Sequence, residues 1–137
     1  MGEEKPQNKI NYTVEFGATF NLYYSERYSS KTLDKIDDFI EHYEKFGLKD
    51  WKGKISPSDR VPDTYPNQQN LIAKAKKYNL WHVHIGEPKW QRPLHDQYLV
   101  SEWVLHFQKI NNYHIKLLEL SWHNPMELPS DEMINEE

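Results

Sequence analysis

Residues 98–122, YLVSEWVLHFQKINNYHIKLLELSW, decide the fold. Apolar and aromatic residues crowd both sides of Asn111 and Asn112. Turn formers between two such runs read as a hairpin. Successive strand residues point to opposite sides. In the first run Leu99, Trp103, Leu105 and Phe107 therefore share one face, and Tyr98, Glu102 and His106 share the other with Val100 and Val104. In the second, Ile115 and Leu117 fall on one face and Leu118, Leu120 and Trp122 on the other. Upstream, LWHVHI at 80–85 alternates too, with Trp81, Val83 and Ile85 opposed to His82 and His84. Connections this short predict one antiparallel meander over 80–85, 98–107 and 113–122.

The meander needs a cover for its apolar face. Residues 30–46 supply one. Leu33, Ile36, Phe39, Ile40 and Tyr43 recur at helical spacing, Ser29 or Ser30 can cap the start, and Gly47 stands at the stop. Residues 67–78 can form a second, short helix with Leu71, Ile72 and Ala75 on one side and Lys74, Lys76 and Lys77 at its end. Residues 10–24, INYTVEFGATFNLYY, read as extended. Residues 48–67 hold Pro57, Pro62 and Pro66 and read as a long loop, which in a compact domain signals either function or a missed element. The predicted order is β-α-α-β-β-β in one α+β domain spanning 1–137. Residues 1–8 form a loose leader, and 127–137 an acidic, flexible tail dispensable for folding.

Composition narrows the function classes. The chain has 137 residues, no cysteine, 14% aromatic residues and a net charge of -4. Without cysteine there are no disulfides, thiolate nucleophiles or iron–sulfur clusters. No run approaches the ~18 apolar residues of a membrane span. MGEEKPQNK offers no apolar signal segment, so the expected location is the cytoplasm. Charge is uneven: residues 66–122 carry seven bases against four acids, while 126–137 carry five acids and no base. A locally positive face could meet a polyanion.

The chemistry-bearing residues gather around the meander. His82 and His84 project from one strand face about 7 Å apart. Imidazoles there could exchange protons, bind a metal with His95, His106 or a carboxylate, or simply serve structure. In the loop GEPKWQRPLHD, Lys89 and Arg92 could hold phosphate, Trp90 could stack on a base, and His95 adds a further imidazole. Tyr98 and His123 would stand at the margin of this patch, with His123 and Asn124 at the end of the last strand. No third ligand lies close in sequence to the two histidines, so no metal and no cofactor are expected.

The helix TLDKIDDFIEHYEKFGL, the strand KYNLWHVHIG and the pair YLVSEWVLHF and YHIKLLELSWHNPM together resemble the YafO-type toxins of the RelE/ParE superfamily. The resemblance spans roughly residues 10–126. It implies a small α+β, RelE/ParE-like domain with two N-terminal helices packed on a twisted antiparallel sheet. It also implies a toxin that cleaves mRNA on the ribosome and is neutralised by a cognate antitoxin protein. His82 and His84 match the family's His-x-His, and His123 falls near a histidine after its last strand. On these grounds the catalytic candidates are His82, His84, Arg92, His95 and His123, and the RNA-binding candidates Lys89, Trp90 and Tyr98. The alternative is a non-catalytic module of the same fold that binds or inhibits a protein partner.

Overall fold

The computed structural model describes residues 10–123 and 126–136. The leader expected at 1–8 and Asn124 lie outside them. The element order is β1 (Thr13–Phe16), α1 (Ala18–Glu26), α2 (Ser30–Phe46), β2 (Ile55–Pro57), α3 (Gln68–Tyr78), β3 (Leu80–His84), β4 (Trp103–Asn111), β5 (His114–Trp122) and α4 (Asp131–Ile134). All five strands join one sheet in the order β1-β5-β4-β3-β2.

This architecture corrects the expected fold class. Strands β3, β4 and β5 do pair antiparallel, but β1 runs parallel to β5, so the sheet is mixed. The described residues also begin with a strand rather than with two helices, and four helices lie among them. The implied RelE/ParE-like arrangement, two N-terminal helices on an antiparallel sheet, is therefore not the one observed.

Three elements are absent from the predicted order, α1, β2 and α4, the first two for identifiable reasons. Only Thr13–Phe16 of the 10–24 run is strand. Gly17 sits at the N-cap of α1, and the chain turns there into a helix, ATFNLYYSE. With apolar and aromatic side chains on several sides, that segment has no single apolar stripe to signal its period. Strand β2 hides in the proline-rich 48–67 segment and pairs antiparallel with β3 at the sheet edge, a position where Pro57 is tolerated.

Helix α2 forms where its pattern places it. The Ser29 hydroxyl accepts from the Thr32 amide, and Gly47 ends the helix at φ 70°, a left-handed conformation that favours glycine. Its stripe of Ile36, Phe39 and Tyr43 is buried against Val83, Leu105, Phe107, Ile115 and Leu117, with Phe39 and Phe107 centroids 6.3 Å apart. A β-bulge brings Leu120 into this same core: His106 pairs Glu119 while Phe107 pairs Leu117, so Leu118 is an extra residue. The insertion shifts the alternation by one residue. Leu118 instead joins a smaller cluster on the far face with Ala75, Leu80 and Ile134.

That far-face cluster includes the acidic end of the chain, which docks where a flexible tail was expected. Ile134 is 2% exposed. The buried Lys116 ammonium donates to the carbonyls of Ile134 and Glu136. The Glu136 carboxylate accepts from the Thr19 amide and hydroxyl, and Lys74 pairs with Asp131 at 2.9 Å. No helix among the described residues is long and apolar enough to cross a membrane.

Candidate functional site: a histidine-lined cleft

Alternation that aims Val83 into the α2-side core aims His82 and His84 at the opposite face of the sheet. His106 stands directly across from His82 on β4. His123 follows β5 and is tied in place by its amide, which donates to the Glu102 carbonyl at 2.8 Å. The rings meet at centroid distances of 4.9 Å for His84–His123, 5.4 Å for His82–His123, 6.1 Å for His82–His106 and 6.5 Å for His82–His84. Three of these four rings, His82, His84 and His123, are among the catalytic candidates read from the sequence; His106, named there only as a possible metal ligand, is the fourth.

Serines orient the rings. His82 Nδ1 meets the Ser58 hydroxyl at 2.9 Å and His106 Nε2 meets that of Ser121 at 3.0 Å. His106 Nδ1 is buried without a hydrogen-bond partner. His84 is more constrained. Its Nδ1 accepts the Ser101 amide at 2.8 Å. The Ser101 hydroxyl donates in turn to the Trp103 carbonyl and accepts from the Gly86 amide. The neutral His84 ring must therefore carry its proton on Nε2, which makes that nitrogen a donor and not a metal ligand. Among the described residues, no group of three or more histidines, aspartates or glutamates is arranged to hold a metal ion.

Burial keeps these rings neutral. Desolvation, then the neighbouring histidines and Lys54, pushes His82 down to about 3. Desolvation and His123 bring His84 to about 4 against an opposing bond from Ser101, and His106 also to about 4. His123 is lowered as well, by desolvation and then by Lys54. Among the described residues no carboxylate pairs with any of the four rings.

Two adjoining cavities open onto the cluster. One, of about 430 Å³, is lined by Lys54, Ser56, Arg60, Tyr65, His82 and His123, among others. The other, of about 410 Å³, is lined by His84, Gln91, Val100, Ser101, Glu102, Trp122 and His123. Lys54 pairs with Asp96 at 3.0 Å. Lys54, Arg60 and Tyr65 come from the segment read as a loop. The period-two series Lys54, Ser56, Ser58 was the available signal, and the prolines obscured it.

The loop after β3 contributes differently from expectation. Lys89, Arg92 and His95 are exposed and line neither cavity. Trp90 packs against the two glycines: a Cβ on Gly53 would lie 2.7 Å from its ring, and one on Gly86 2.5 Å. Tyr98 lines a separate cavity with Trp51, Ile55 and Trp81, on the side of β3 away from the histidines. The structure thus brings His82, His84 and His123 together and leaves Lys89, Trp90, Arg92, His95 and Tyr98 outside the cleft. In comparison with known proteins, no family model matches the chain, and no curated protein or solved structure is significantly similar to it. The resemblance to YafO-type toxins stands on the sequence segments alone.

Proposed function

We propose that the chain is a metal-independent endoribonuclease acting on mRNA, with its chemistry in the histidine cleft. One arrangement supports this reading above others: the neutral His84 and His123 rings, 4.9 Å apart, in a cleft that also presents Lys54, Arg60 and Tyr65. In this reading a neutral His123 nitrogen takes the proton of the RNA 2′-hydroxyl. The 2′ oxygen attacks the adjacent phosphorus as the bond to the 5′ oxygen breaks, and water protonates the leaving oxygen. Lys54, Arg60 and the His84 Nε2–H offset charge on the phosphate oxygens. The products are a 2′,3′-cyclic phosphate and a 5′-hydroxyl. Tyr65 offers a ring for a base to stack on. The sequence resemblance extends the proposal to a toxin that works on the ribosome in the cytoplasm and is neutralised by a cognate antitoxin protein.

One observation favours the second reading, a non-catalytic binding module. His82 and His84 are held near 3 and 4, so neither ring is charged at neutral pH, and the cleft then offers a fixed set of neutral donors and acceptors to a protein partner. End mapping of mRNA incubated with the protein and translating ribosomes separates the two. Cyclic-phosphate ends that disappear with His123→Ala and diminish with Lys54→Ala support the nuclease. Intact mRNA, with growth inhibition on induced expression, supports the binder.

A further inference from the structure

A second pocket lies on another part of the molecule. Strand β1 pairs with β5 only as far as Leu117, so the stretch from Leu118 onward has no strand on that side. Helix α1 and helix α4 flank this open end, and between them is a cavity of about 290 Å³. Its walls divide by chemistry. Phe20, Tyr23, Tyr28 and Trp103 supply four aromatic rings; Leu118, Leu120 and Met133 supply aliphatic surface; Glu119 and Arg27 are the charged members. The rings lie close together, with Tyr23–Tyr28 centroids 5.7 Å apart and Phe20–Tyr28 6.1 Å apart.

We propose that this pocket binds a small organic cation, an ammonium group on a short apolar stem. Aromatic faces carry negative potential and attract cations, and quaternary ammonium groups are the usual occupants of such cages. The charge balance selects the same ligand. Glu119 is half-buried, and among the described residues no cation lies within ion-pair distance of it. Desolvation and the charge of Glu127 both disfavour its ionised form, so a cation beside it would relieve both. A neutral guest would leave that carboxylate uncompensated, and an anion would be repelled by Glu119 and Glu127. Arg27, the one cation in the lining, rests over the Tyr23 ring, 5.3 Å from its centroid. It shows that a ring of this pocket accepts a cation from within the chain itself.

The test is a pair of isosteres followed by 15N NMR on the intact chain: choline, and its neutral carbon analogue 3,3-dimethylbutan-1-ol. Choline should give saturable shifts at Tyr23, Glu119 and Met133 and at the Trp103 indole, and should bind about tenfold more tightly than the alcohol. Glu119→Gln should bring choline down to the alcohol's affinity and leave the alcohol's unchanged. Equal affinity for the two compounds in the wild-type chain overturns the proposal, whether or not the variant folds. So does the absence of saturable shifts at these positions.

Discussion

The two faces of the sheet are made by the same strands and obey different physics. Under α2, alternate residues are hydrocarbon and aromatic: Val83, Leu105 and Phe107 are each 0% exposed. On the other face the intervening positions hold His82, His84 and His106, also buried, and Leu118 joins a smaller apolar cluster with Ala75 from α3 and Ile134 from the chain end. The first face gains from every ring removed from water. The second contains groups that water would stabilise, and it holds them neutral. Equal burial therefore carries opposite sensitivities. The α2 side responds to lost volume, the histidine side to protons.

The largest expected effect tests that contrast with acid. The folded-state pKa values of His82, His84 and His106 lie below the ordinary 6.5, so the unfolded chain binds protons first. Stability is complete above about pH 6.5 and falls as pH drops from there toward the folded values, by about 1.4 kcal/mol per pH unit for each ring. Urea melts from pH 7 to 5 measure the slope. His106→Leu should flatten it by one proton's worth. An unchanged slope in that variant would show that the buried ring is not among those titrating.

The reciprocal experiment removes volume from the other face. Phe39→Ala should cost about 3–5 kcal/mol, with little change in the acid slope. If Phe39→Ala also altered the slope, the two faces would be coupled rather than independent.

Truncation after Met126 should cost less, about 2–4 kcal/mol, through the buried Ile134 side chain and the stranded Lys116 ammonium. Thermal melts check it, and a melting temperature near wild type would restore the flexible-tail expectation. The smallest effect belongs to the α2 cap. Ser29→Ala should cost about 1 kcal/mol, read by denaturant melts at any pH where the histidines are neutral.

What could be read in advance follows the same division. The α2 stripe and the alternation of β3 were legible because burial on one face leaves a period in the sequence. His82 and His84 were visible as a pair for that reason. Lys54, Arg60 and Tyr65 were not, because β2 is three residues long, ends in Pro57 and carries no hydrophobic alternation of its own. His106 lies far from His82 in sequence and reaches it only through the strand register. Leu120 was assigned to the wrong face because a bulge leaves no trace in composition. The end of the chain misled for another reason. Its acids dominate the composition, yet its docking rests on Ile134 and on backbone carbonyls presented to Lys116.

The parallel pairing of β1 with β5 has a kinetic consequence. Thr13 lies beside His114, about a hundred residues along the chain, so β5 is made long after β1. The β3–β4–β5 meander can close through short loops, but β1 must wait, unpaired, until β5 has emerged. Such long-range contacts are slow to form because the entropy of loop closure is lost before they reward it. Strand β1, with Val14 and Phe16, is therefore exposed to self-association until β5 is made, and the sheet becomes whole only when these two distant strands meet.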